Sequence, residues 1–121
     1  MFREKFEKHI TSTYGVKAEQ PWITSPKSSV YRHESNRKWF ALVMEISKSK
    51  LGIDFENTVN VVNLKCDPML IGSLVTEDGI HPAYHMNKNY WITVRLDGSV
   101  DMDKLKWLLE ISFNLTDKKR R

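Results

Sequence analysis

The order of apolar periods along the chain predicts an α+β fold, an antiparallel sheet with helices packed on one of its faces. Two observations carry that reading. Apolar residues recur at helical spacing in three segments, one near each end and one in the middle, and the stretches between them hold four runs rich in β-branched and aromatic residues bounded by turn composition. A chain of 121 residues with 40% hydrophobic and 28% charged content suits a single domain, residues 1–121, with one core.

Each element has its own local reason. Phe2, Phe6, Ile10 and Tyr14 recur every four residues with Lys and Glu between them, which predicts an amphipathic surface helix that Gly15 terminates. Strands are expected at residues 30–33, 38–46, 58–65 and 90–96, with Glu34-Ser35-Asn36-Arg37 as the first hairpin turn. By the period of two, Phe40, Leu42, Met44 and Ile46 share one face of their strand, and Ile92, Val94 and Leu96 share one face of theirs. The opposite faces then carry Trp39 in the one and Trp91, Thr93 and Arg95 in the other. Asp67-Pro68 reads as a helix start, with a carboxylate able to cap free amides and proline where its missing N–H costs nothing. Leu70, Ile71, Leu74 and Val75 form its buried stripe and Gly79 stops it. Asp101 and Asp103 open the last helix at its positive end, and Leu105, Leu108, Leu109, Ser112 and Leu115 line one side. The chain shows no internal repeat, low-complexity segment or interdomain linker.

Composition narrows the function classes. No apolar run approaches the ~20 residues that span a bilayer, and Met1 to Lys8 is charged amphipathic sequence unlike a signal peptide, so a cytoplasmic protein without a membrane partner is expected. The lone Cys66 has no partner for an internal disulfide and reads as a small buried hydrophobe. The net charge of +4 is supplied by Lys118, Lys119, Arg120 and Arg121, a tail expected to fray at a helix end. The remaining body is neutral but segregated. Lys27, Arg32, Arg37 and Lys38 face only Glu34 in the first hairpin, and Asp54, Glu56, Asp97, Asp101 and Asp103 form the acidic counterpart.

Residues 79–96 combine Tyr84, Tyr90 and Trp91 with His81, His85, Lys88 and Arg95 and contain no carboxylate, a composition that offers stacking faces and cations to a planar anion. If Ile92, Val94 and Leu96 face the helices, Trp91, Thr93 and Arg95 lie on an uncovered sheet face that resembles a stacking platform. The candidate binding set is therefore Arg32, Arg37, Lys38, Lys65, Tyr84, His85, Asn87, Lys88, Trp91 and Arg95. His81, His85, Cys66 and His33 are donors zinc accepts, but Pro82 separates the first two and no metal-binding spacing is present, so no metal or cofactor is expected and the histidines read as loop imidazoles bonded to backbone. Cys66 with His85 lacks a glycine-rich oxyanion turn and an orienting third group, which argues against an enzyme.

The run Y-H-M-N-K-N-Y-W-I-T-V at residues 84–94, N-L-K-C-D-P at 63–68, K-W-F-A-L at 38–42 and Ile111-Ser112-Phe113 in the closing helix together resemble the MmcQ/YjbR family of small bacterial proteins, in the same order along essentially the whole chain. The departure is near Pro21-Trp22, where the family tends to a Pro-aromatic-Gly turn and this chain has Ile23-Thr24-Ser25-Pro26. The resemblance implies a fold similar to the bacterial frataxin homologue CyaY and a non-enzymatic domain proposed to bind DNA through paired hairpin wings. Iron binding would need a dense carboxylate ridge, whereas Glu4 and Glu7 are diluted by Arg3, Lys5 and Lys8. The alternative is a module that binds a small anionic, drug-like compound or a protein on the surface of Tyr84, His85, Lys88 and Trp91, in keeping with the relatives' antibiotic-producing and resistance contexts. A monomer is expected in either case.

Overall fold

The computed structural model describes residues 2–53 and 56–117, so the expectation for the Lys118–Arg121 tail and the place of Asp54 lie outside the described residues. Helix α1 (Phe2–Tyr14) leads into strands β1 (Ser29–Arg32), β2 (Trp39–Ser47) and β3 (Thr58–Lys65), with a 3-10 turn at Lys48–Leu51 between the last two. Helix α2 (Pro68–Leu74), strands β4 (Ile80–Pro82) and β5 (Trp91–Arg95) and helix α3 (Met102–Thr116) follow. The strands form one antiparallel sheet in the order β1-β2-β3-β5-β4.

The helix signals act as expected at their starts. The Asp67 carboxylate accepts from the Met69 amide at 2.9 Å with Pro68 opening α2, and the Asp101 carboxylate accepts from the Lys104 amide at 2.8 Å to cap α3. Gly15, at φ 67°, ends α1 as its amide closes on the Thr11 carbonyl. Two ends differ from expectation. Helix α2 stops at Leu74, well before Gly79, and Gly79 instead serves a close approach. It sits at φ 90°, and a Cβ there would lie 2.4 Å from Ser99 Oγ and 2.7 Å from Val100 Cγ2. In α3 the buried side ends on Thr116 rather than Leu115, which is exposed.

One core lies between the sheet and the helices. Phe6 and Ile10 from α1, Leu74 from α2, and Leu105, Leu108 and Leu109 from α3 pack on Val43, Val62, Leu64, Ile92, Val94 and Leu96. The period-two reading of the last strand is therefore right. In β2 it fails at one residue. Tyr31 pairs with Ala41 but Arg32 pairs with Trp39, so Phe40 is an extra residue with no partner on β1, a β-bulge. The bulge sends Phe40 to the helix core, whereas Leu42, Met44 and Ile46 go to the other face with Val30, Val59 and Val61, and Trp39 packs beside them. Phe40 and Leu42 thus do not share a face. The same irregularity explains Ser112, whose hydroxyl donates to the Phe40 carbonyl at 2.6 Å and accepts from the Lys65 amide at 2.9 Å. A buried side chain of α3 satisfies two strand groups that the regular β2–β3 ladder, which ends at Leu42 and Asn63, leaves open.

Candidate functional site

The helix-free face is not the open platform that alternation alone suggests. At its centre Asn63 on β3 and Thr93 on β5 are directly paired and wholly buried, because the chain after β4 folds over them. The Asn63 amide nitrogen donates to the Tyr84 carbonyl at 2.9 Å, the Tyr84 amide donates to the Thr93 hydroxyl at 2.8 Å, and that hydroxyl donates to the Asn63 side-chain oxygen. Each polar group in this triangle has a partner, which is what makes its burial tolerable. It pins the start of the 83–90 loop onto the sheet. His85, at φ 65°, turns the chain there, and its ring lies against that of Tyr84 with centroids 3.9 Å apart. Further on, the Asn87 carbonyl accepts from the amides of Tyr90 and Trp91, and the Asn87 side chain accepts from the Asn89 amide, a tight turn that leaves Lys88 exposed at its tip.

One end of this face interleaves cations and aromatics. Arg32 pairs with Trp39 across β1 and β2, with its guanidinium 5.6 Å from the Trp39 ring centre, and Lys65 pairs with Trp91 across β3 and β5. Both pairs lie at the same end of the sheet, where β1 and β3 finish and β2 and β5 begin. Trp91 is half-buried and Trp22 packs edge-on against Trp39. Lys38 precedes Trp39, and the Asn87–Lys88 turn precedes Trp91, so these rim the same end.

The arginines are more committed than the sequence suggested. The Glu19 carboxylate accepts from Arg32 at 2.9 Å and from Arg37 at 3.0 Å, and the Arg32 and Arg37 guanidiniums hold Glu19 below the usual carboxylate range. Arg95 likewise pairs with Asp78 at 3.1 Å and Asp97 at 3.3 Å. The basic hairpin is thus partly neutralised by an acid 13 residues before Arg32, and Arg95, expected as a free cation on an uncovered face, is a largely buried ion-pair hub. Lys38, Lys65 and Lys88 make no ion pair among the described residues. A shallow concavity of about 300 Å3 beside Lys88 is lined by Asn89, Tyr90, Pro68, Ile71 and Gly72. Composition pointed to Tyr90 but not to the α2 residues opposite it, which are brought there only by the tertiary fold.

The Cys66 thiol and the His33 imidazole are buried, and His81 is partly so. His81 lies on β4, not in a loop, and its Nε2 is buried without a hydrogen-bond partner among the described residues. Burial, then the neighbouring Arg95, lower its pKa. His33 is buried against Phe40 and Phe113 with Nε2 2.7 Å from the Thr116 hydroxyl, and its pKa is also lowered by burial. Burial pushes the Cys66 thiol up, away from thiolate character. No group of three or more His, Cys, Asp or Glu among the described residues could hold a metal ion, and no helix among them is long and apolar enough to cross a membrane.

The lowered histidines make a stability prediction. His9, His33 and His81 bind protons less readily folded than unfolded, where 6.5 is the reference value. The unfolded chain therefore takes up protons first as pH falls, and the stabilisation present above 6.5 is lost progressively below it, through the folded pKa values. Melting temperature is expected to decline from pH 7 to 5, and His81→Gln to flatten that slope; a variant with an unchanged slope would show that His81 is not a contributor.

Comparison with known proteins places the chain among relatives. A family model described as YjbR matches residues 11–115. The uncharacterized protein YyaQ of Bacillus subtilis (strain 168) is 37% identical over 114 residues, covering 94% of this chain and 97% of YyaQ. A crystal structure of a Pseudomonas syringae protein superposes with a TM-score of 0.94 at 44% identity, covering 97% of this chain and 100% of that one. The Deinococcus radiodurans protein DR2400 superposes at 0.69 with 26% identity, covering 95% of this chain and 81% of that one. On the span of the family match and the identity to these bacterial relatives, the chain belongs to the MmcQ/YjbR family.

Proposed function

We propose that this domain binds DNA weakly and with little sequence preference, through the cation–aromatic end of its helix-free sheet face. The observation that carries the reading is the interleaving of Arg32, Trp39, Lys65 and Trp91 across four strands, rimmed by Lys38, Asn87 and Lys88. Aromatic faces beside cations suit unpaired bases and their phosphates, and stacking is tolerant of sequence. The hairpin-wing contact to a duplex has less support, because Glu19 already engages Arg32 and Arg37. Tyr84 and His85 act in this reading as the wall of the surface, and Arg95 positions its far side. The reading treats residues 1–121 as a single, monomeric, cytoplasmic domain of the CyaY-like type. It is non-enzymatic, in keeping with a thiol whose pKa is raised.

Fluorescence polarisation with labelled single-stranded and duplex oligonucleotides at two salt concentrations tests this. With Lys38, Lys65 and Lys88 as the cations of this surface that make no ion pair among the described residues, the logarithmic salt slope for single strands is expected to be about −2, and Lys65→Ala or Lys88→Ala should each reduce it by roughly 0.7. Absence of binding at low salt would remove the reading. It would favour a small anionic ligand at the concavity between Lys88, Tyr90 and Ile71, the one observation that supports that alternative.

A further inference from the structure

The opposite side of the molecule carries a second charged surface that the DNA reading does not use. A groove between α1 and α3 holds two adjoining concavities that share His9 and Lys106. One, of about 500 Å3, gathers Lys5, Lys8, His9 and Lys106 around Phe2 and Met102, and no carboxylate among the described residues lines it. Lys5, Lys8 and Lys106 make no ion pair among the described residues. The adjoining concavity, of about 530 Å3, adds the exposed ring of Trp107 and the carboxylates of Asp103 and Glu110. Asp103 and Glu110 thus line only the second concavity and Lys5 and Lys8 only the first, with Lys106 between them. Burial, then the Lys106 charge, lower the His9 pKa.

Three ammonium groups around one open concavity repel one another unless an anion lies between them, and its volume is large enough to seat a small molecule that stays partly in water. Phe2 and Met102 give the same space apolar surface, which a bare inorganic ion would leave wet. We propose that the Lys5–Lys8–Lys106 end of the α1–α3 groove binds a small organic phosphate, a doubly charged phosphate monoester on an aryl or alkyl body. The lysines meet the phosphate as flexible point charges, and the body lies on Phe2 and Met102.

The test uses 1-naphthyl phosphate as probe, with inorganic phosphate and 1-naphthol as the charge and the body taken separately, followed by amide and imidazole NMR shifts. The expected result is saturable binding of the phosphate ester with shifts centred on α1 and α3, much weaker binding of either part alone, and a rise in the His9 pKa on binding. Lys8→Ala and Lys106→Ala, both at solvent-facing positions and checked for folding by circular dichroism, are each expected to weaken binding roughly fivefold, the scale of one charge contact in water. Lys88→Ala is expected to leave it unchanged, which separates this site from the DNA surface. Shifts centred on the 83–91 segment, equal binding of 1-naphthol, or folded lysine variants with unaltered affinity would overturn the proposal. So would co-sedimentation with phosphatidic acid vesicles in preference to the soluble ester, which would assign the groove to a membrane surface.

Discussion

Ile92→Ala is expected to lower the stability of the domain by ~2 to 5 kcal/mol, the range for deleting most of a buried aliphatic side chain and leaving a cavity. Ile92 has no exposed surface, pairs with Leu64 on one side and Pro82 on the other, and belongs to the core that includes Leu105, Leu108 and Leu109 of α3. Its neighbour Trp91 points the other way and is half-buried. Trp91→Ala is therefore expected to destabilise by less than Ile92→Ala, while reducing DNA affinity by the ~1 to 3 kcal/mol typical of a base-stacking aromatic. Chemical denaturation of both variants, beside polarisation titrations, measures each quantity. Equal losses of stability would mean that Trp91 serves chiefly to pack the sheet, and the stacking surface would lose its main anchor.

Asn63→Leu should be nearly as costly, although it replaces a buried polar group by an apolar one of similar size. The Tyr84 carbonyl would lose its donor and the Thr93 hydroxyl its acceptor, and an unsatisfied buried group costs ~1 to 3 kcal/mol. Adding Thr93→Val is not expected to rescue the protein, since the amide and carbonyl of Tyr84 belong to the backbone and would both remain without partners. Hydrogen exchange at the Tyr84 amide gives the readout. It should accelerate in Asn63→Leu, because the loop lifts from the sheet, and Lys88 and Tyr90 should lose their place beside α2. Protection as strong as in the parent chain would show that the loop is held by its apolar contacts instead.

What could be read from the sequence was whatever depends on short-range periodicity. Ile92, Val94 and Leu96 alternate without interruption, and Asp67-Pro68 and Asp101 are caps whose chemistry is complete within a few residues. The bulge at Phe40 breaks the period by a single residue in a continuous apolar run, where neither phase exposes an obvious polar error, so the pattern offered no means of locating it. Strand β4 was missed because three residues ending in proline carry too little signal. The candidate site was legible as a composition and not as a geometry. Tyr84 packs on the helix-free face, whereas Lys88 sits beside α2, and Asn63 and Thr93 read as solvent-facing polar residues until the loop that covers them is in place. The neutralisation of Arg32 and Arg37 depends on Glu19, held beside β1 by a two-way backbone pairing with Val30, and nothing local announces that.

That same pairing bears on how the protein behaves when crowded. The margins of an antiparallel sheet are places where a second chain can add a strand, and the usual safeguards are brevity and proline. Here β1 has four residues, and Val30 already gives both its amide and its carbonyl to Glu19. At the other margin β4 has three residues and ends in Pro82, which has no N–H to offer. Neither border presents a run of free backbone groups long enough to template an incoming strand. The sheet is therefore finite in both directions, and concentrated solutions of the folded chain should resist fibril growth by edge-to-edge pairing.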